Sequence, residues 1–144
     1  RSPQRQKYRL DEIKRWSEFL NIKINIKPKF FPPKDPHLPA KFTIAANLLG
    51  TKVVFGHDLL KQLWSEEKDI SDEKNIEAIS NSFKINFTEL SDLAKSEKVS
   101  EIYAENTEEA VEKNVFGAPT YIFNNELFWG QDHLEFLERA LKNA

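Results

Sequence analysis

Cysteine is missing altogether from these 144 residues. That excludes a disulfide framework, a thiolate zinc site and any Cys-x-x-Cys redox pair within them, and it fits a cytoplasmic protein. Glycine is scarce, present only as Gly50, Gly56, Gly117 and Gly130. Neither a phosphate-cradling loop nor a dinucleotide fingerprint can be written from these, and no Gly-x-Ser-x-Gly elbow exists for a hydrolase triad. No apolar run approaches the ~20 residues a membrane helix needs, and no signal-peptide pattern opens the chain. Charge of one sign is also lacking: 21 Lys and Arg against 23 Asp and Glu leave a formal charge of -2. Nothing in that balance favours nucleic acid or an anionic membrane, and a small-molecule partner is the natural expectation. His37, His57 and His133 are far apart, without an i, i+4 partner or paired carboxylate, so no metal site is expected. Lys23, Lys27, Lys29 and Lys34 have only Phe30 and Phe31 as interleaved aromatics and read as solvated surface.

What is present is ordinary globular composition: 40% hydrophobic, 12% aromatic and 31% charged residues suit one soluble domain with a single core. The opening Arg1-Ser2-Pro3-Gln4-Arg5 reads as a loop, and because Arg1 is not a methionine the true amino terminus is expected upstream. From Tyr8 to Leu20, Tyr8, Ile13, Trp16, Phe19 and Leu20 recur at helical spacing behind Asp11 and Glu12. Ile22, Ile24 and Ile26 then alternate with Lys23, Asn25 and Lys27, which predicts a half-buried strand. Pro28, Pro32, Pro33, Pro36 and Pro39 rule out regular helix or central strand and predict an extended loop bearing Phe30 and Phe31, in which exposed prolines and buried rings can coexist. A helical block follows: Lys41–Leu49, Val53–Trp64, a helix capped by Ser71 carrying Ile76, Ile79 and Phe83, then Thr88–Ala94 and Glu97 to about Lys113.

The tail changes character at Val115. Pro119 to Phe123 has the composition of a strand, Asn124-Asn125 supplies a tight turn, and Glu126 to Trp129 returns, which predicts a β-hairpin. Gly130 closes it, and an amphipathic helix from about Asp132 presents Leu134, Phe136, Leu137, Ala140 and Leu141 on one side. One isolated strand and one hairpin make a poor sheet. The missing pairing strands are expected upstream or in another chain.

The most informative stretch is Val115-Phe116-Gly117-Ala118-Pro119-Thr120, followed a hairpin later by Phe128-Trp129-Gly130-Gln131-Asp132. The pair closely resembles the 2-hydroxychromene-2-carboxylate isomerases, relatives of kappa-class glutathione transferases and of the DsbA oxidoreductases. The resemblance covers almost the whole chain, including Ser2 to Leu10, Leu63 to Glu67, Asn106 to Ala110 and the Val115 to Leu141 tail. It implies an α/β, thioredoxin-like fold of the DsbA/kappa type with a helical insertion and with the N-terminal β-α-β part absent from this chain. On that reading residues 1–27 end the thioredoxin N-terminal part, 28–113 form the insertion and 114–144 the C-terminal hairpin and helix.

The resemblance further implies glutathione as cofactor, a small aromatic substrate and a homodimer. Ala118-Pro119 would be a cis bond facing the active site, with the Ala118 backbone pairing to the cysteinyl unit of glutathione and Gly117 relieving crowding before it. At Gly130-Gln131-Asp132 a helix start would hold the γ-glutamyl carboxylate on its N–H groups, with the Asp132 carboxylate meeting the ammonium. Arg1 and Arg5 fall in the loop that in the family approaches the glycyl end and the substrate carboxylate, and Trp129 becomes substrate-facing. Taken without the resemblance, Pro119 is a proline at a strand entry, Asp132 an N-cap and Trp129 a core or pocket wall.

One departure stands against the match: the family's thiol-activating serine lies in a segment before Arg1, and no residue here takes its role. The family reaction is reversible thiol addition, ring opening with rotation, and loss of glutathione. These residues alone are therefore expected to be inactive as an isomerase. A DsbA-like thiol-disulfide oxidoreductase, which needs an upstream Cys-x-x-Cys, and a noncatalytic oligomeric binding module are the competing readings.

Overall fold

The computed structural model describes residues 2–51 and 53–144. The chain divides into two compact units, Arg1–Tyr103 and Ala104–Ala144.

The first unit is helical. Helix α1 (Pro3–Leu20) starts five residues before the amphipathic pattern does, since Tyr8 was the first residue expected in it. Its cap is local: the Ser2 hydroxyl accepts from the Arg5 backbone N–H at 3.4 Å, and Pro3 occupies the first helical position, where its missing donor costs nothing. The expected opening loop is thus the first turn of a helix. Asn21, left-handed at φ 52°, ends it, and the Ile22 N–H reaches back to the Ser17 carbonyl at 2.9 Å. No residue of α1 is buried, and Phe19 is 79% exposed.

Ile22 to Ile26 is not a strand. β-branched alternation favours a pleated conformation only where a neighbouring strand receives its hydrogen bonds, and here the bonds go elsewhere. The Asn25 N–H donates to the Trp64 carbonyl at 2.7 Å and the Ser65 hydroxyl to the Lys23 carbonyl at 2.5 Å, which moors the extended segment to the end of a later helix. In the proline-rich connection Pro28 and Pro39 are buried and Phe31 is 40% exposed. Helix α2 (His37–Leu48) includes Pro39 in its first turn, where proline is tolerated.

Helices α3 (Val54–Ser65), α4 (Glu73–Ser82), α5 (Phe87–Ala94) and the first part of α6 (Glu97–Glu112) complete the unit. Asp72, not Ser71, caps α4 by accepting from the Lys74 N–H, and Asn86 caps α5 by accepting from the Glu89 N–H. Their inward stripes meet in one core: Phe42, Ala45 and Ala46 from α2, Phe55, Leu59 and Leu63 from α3, Ile76 and Ile79 from α4, Leu90 and Ala94 from α5, and Val99 from α6. Phe42 stacks on Phe87 with ring centroids 6.0 Å apart. Ser80 is fully buried and spends its hydroxyl on the Glu77 carbonyl at 2.8 Å.

The second unit carries the end of α6, strand β1 (Thr120–Phe123), strand β2 (Glu126–Trp129), a 3-10 turn (Gln131–His133) and helix α7 (Leu134–Lys142). The strands pair antiparallel with Phe123 opposite Glu126 and Thr120 opposite Trp129. Asn124 and Asn125 both have positive φ, 48° and 63°, as a two-residue turn matched to strand twist requires. Among the described residues the sheet has these two strands only, and Phe128 is the one buried hydrophobic residue of the unit. No described helix is long and apolar enough to cross a membrane.

The core assignment predicts a contrast. Phe42→Ala should cost the protein about 3–5 kcal/mol as a cavity opens at a closed site, whereas Phe19→Ala should stay within about 0.5 kcal/mol. Urea unfolding of both variants checks this; a Phe19 variant as damaged as the Phe42 variant contradicts it.

Candidate functional site

Hairpin register decides which residues can act together. Cross-strand partners share a face, so Thr120, Ile122, Leu127 and Trp129 project to one side and Tyr121, Phe123, Glu126 and Phe128 to the other. The ladder continues one step past β1, because the Gly130 N–H donates to the Pro119 carbonyl at 2.9 Å. That bond brings the residues before β1 beside those after β2. That bond and the Thr120–Trp129 pair gather Pro119, Trp129 and Gly130 into one cluster, with Ala118 preceding it in the chain and Gln131 and Asp132 following.

The Ala118–Pro119 peptide bond is cis, as is Phe31–Pro32. Thr120 holds the approach to it: its hydroxyl donates to the Gly117 carbonyl at 2.5 Å. Gly117 lies against the Trp129 indole so closely that a Cβ there would come within 2.5 Å of Nε1. Phe116 leans on the same indole with centroids 5.0 Å apart. Phe116 and Gly117 thus form a cradle for Trp129, which remains 46% exposed. Gly130 sits at φ 103°, where an L side chain is strained.

The helix start expected at Asp132 is displaced. Gln131–His133 is a 3-10 turn, and α7 proper begins at Leu134. Neither the turn nor α7 has a side-chain cap, so Asp132 does not cap a helix. The reason lies in His133, whose Nδ1 is 2.7 Å from the Trp129 carbonyl. A carbonyl oxygen only accepts, so Nδ1 carries the proton in this contact. The ring thus ties the turn to the last strand residue and leaves the Asp132 carboxylate 3.7 Å from Nδ1 with its side chain 61% exposed. The role of His133 as an orienting donor has no local signal in the sequence beyond its i+4 spacing from Trp129. Among the described residues no group of three or more His, Asp or Glu is arranged to hold a metal.

Arg5 belongs to the first unit, in the first turn of α1, and is exposed. Arg1 lies outside the described residues. A groove of about 550 Å³ in the second unit runs between β2 and α7, lined by Trp129, His133, Phe136 and Arg139 among others. It shares Trp129 with the cluster but not Ala118, Pro119, Gln131 or Asp132.

The model of the DSBA-like thioredoxin domain matches residues 1–142. The chain belongs to that family. Two curated relatives of this DsbA-like protein carry the name 2-hydroxychromene-2-carboxylate isomerase. One, from Pseudomonas sp. (strain C18), is 42% identical over 53 residues, 37% of this chain and 25% of the relative. The other, from Pseudomonas putida, is 44% identical over 46 residues, 32% of this chain and 23% of the relative. The matched segments thus span about a quarter of those relatives' own length. A solved structure of selenomethionine 2-hydroxychromene-2-carboxylate isomerase superposes with a TM-score of 0.75 at 23% identity, covering 99% of this chain and 70% of that one. The DsbA-like thioredoxin fold and the resemblance to this isomerase group, both read from the tail motifs, agree with these matches.

The cradle makes a spectroscopic prediction. Gly117→Ala must push the indole aside, at a cost of about 1 kcal/mol, so the Trp129 Nε1–H resonance and the near-ultraviolet circular dichroism should both change. An unmoved indole resonance would refute the packing of Gly117 against Trp129.

Proposed function

We propose that this DsbA-like protein binds glutathione at the open end of its hairpin and works as an isomerase of the 2-hydroxychromene-2-carboxylate type on a small aromatic substrate. The observation that carries the reading is the ladder bond from Gly130 to Pro119, which pairs the Ala118-Pro119 step with the chain leading into Gln131 and Asp132. A tripeptide thiol needs three kinds of contact, and this cluster offers them. The exposed Ala118 backbone can pair with the cysteinyl unit as an added strand residue. The uncapped Asp132 carboxylate suits the γ-glutamyl ammonium by a charge-assisted bond, and the Gln131 amide suits the neighbouring carboxylate. Trp129, packed against Gly117 and Phe116 and still half exposed, gives an aromatic substrate a flat apolar wall.

The group that activates the thiol is none of the residues named here. Names of the relatives support the isomerase chemistry, and the absence of cysteine from these residues weighs against a disulfide exchange centred on them.

Calorimetric titration with glutathione should give saturable binding, and Asp132→Asn should weaken it about tenfold, equivalent to about 1.4 kcal/mol, with Phe19→Ala unchanged. Conversion of 2-hydroxychromene-2-carboxylate should require added glutathione. Absence of saturable binding, or equal affinity in the Asp132 variant, sinks the proposed site.

A further inference from the structure

The outer edge of β2 is a feature that the glutathione reading does not use. In an antiparallel pair, facing residues alternate between bonded and unbonded pairs. The Gly130 N–H bonds to the Pro119 carbonyl. Counting back by twos along the register, Phe128 with Tyr121 and Glu126 with Phe123 are bonded pairs as well. The peptide groups of Leu127 and Trp129 therefore turn away from β1. His133 agrees with this, since its Nδ1 lies 2.7 Å from the Trp129 carbonyl. With that carbonyl taken, the Leu127 N–H and C=O form the donor and acceptor pair of the free edge, and neither makes another hydrogen bond among the described residues. Nothing guards them: β2 contains neither proline nor lysine, and its register with β1 has no bulge.

The space beside this edge selects what pairs with it. The groove of about 550 Å³ between β2 and α7 has the size of a small-ligand site, and the exposed ring of Phe136 gives it an apolar wall. Glu126 and Arg139 also line it. Neither joins an ion pair among the described residues, whereas Lys142, one turn short of the chain end, is already paired with Glu138. The groove thus presents one carboxylate and one guanidinium, both without a partner. Opposite charges side by side favour a ligand that carries both signs and disfavour one with a net charge.

We infer that the outer edge of β2 and the groove beside it form a binding site for a short extended peptide of no net charge. Its smallest form is a tripeptide with free termini. The central residue pairs with Leu127 as an added strand residue, an apolar side chain rests on Phe136, and the terminal carboxylate and ammonium meet Arg139 and Glu126. The groove does not include Ala118, Gln131 or Asp132, and the inference holds whether or not those residues bind glutathione.

Trivaline with free termini, added to the isotope-labelled protein, tests it. Saturable amide shifts should appear at Leu127 and Phe136, with Ala118 and Asp132 unmoved, and hydrogen exchange at the Leu127 amide should slow about tenfold. Methylating the central nitrogen of trivaline removes the donor to the Leu127 carbonyl and should weaken binding about fivefold. Arg139→Gln, at an exposed position where folding is not at stake, should weaken trivaline about threefold and leave trivaline amide, which lacks the carboxylate, unchanged. Glu126→Gln should do the same to trivaline while sparing acetyl-trivaline, which lacks the ammonium. Shifts at Ala118 and Asp132 in place of Leu127 would put the peptide in the glutathione site and overturn the inference. So would equal binding of the methylated peptide, unchanged affinity in both charge variants, or no saturation by about 10 mM trivaline. A Leu127 amide already protected in the free protein would also overturn it, since the edge would then be covered by another strand or by a second copy of the chain.

Discussion

Everything proposed for the second unit depends on one constraint, the register of the hairpin. Asn124 and Asn125 accept the left-handed backbone that a two-residue turn demands, and with the turn length fixed there is one pairing of β1 with β2. A slip of one residue would send Trp129 and Thr120 to the opposite face and separate Pro119 from Gly130. Because the register holds, two motifs on either side of the hairpin become one cluster. Gly117 lies against the Trp129 indole, and Gly130 turns the chain at a positive φ that strains an L side chain. His133 then locks the turn to the strand through the Trp129 carbonyl, leaving Asp132 open to solvent.

The two units hold together by different means. The first buries a continuous cluster from five helices, with Phe42, Phe55, Ile76, Leu90 and Val99 wholly withdrawn from water. That burial gives it a core of its own, and the mooring of Ile22 to Ile26 on the end of α3 follows from it. The second unit has Phe128 alone as a buried hydrophobic residue, and Phe116, Phe136 and Leu141 remain more than half exposed. Two strands with unpaired edges are marginal in water, so the site's apolar surroundings exceed what the hairpin and α7 bury between themselves.

Legibility in the sequence followed how local the deciding physics was. The hairpin, its Asn-Asn turn and the run of helices from α2 to α6 could be read because turn chemistry and periodicity are local. The strand at Ile22 to Ile26 could not, since alternation says that a face is apolar but not whether a partner strand exists. The start of α1 was obscured because Ser2-Pro3 reads equally as a loop or as an N-cap with proline at the first position. Asp72 displaced Ser71 as a cap by one residue, a choice no pattern distinguishes. In the site, the proline and tryptophan motifs were visible, whereas the 3-10 turn that delays α7 arises from His133 reaching a backbone carbonyl and had no signature in composition.

Amide chemical shifts of the labelled protein during a glutathione titration test the central claim most directly. The account predicts saturable shifts at Ala118, Gln131 and Asp132 and at the Trp129 indole, with the Phe42 and Leu90 amides of the first unit's core unmoved. Saturable shifts confined to other residues, or none at millimolar glutathione, the weak end of specific binding, would contradict it.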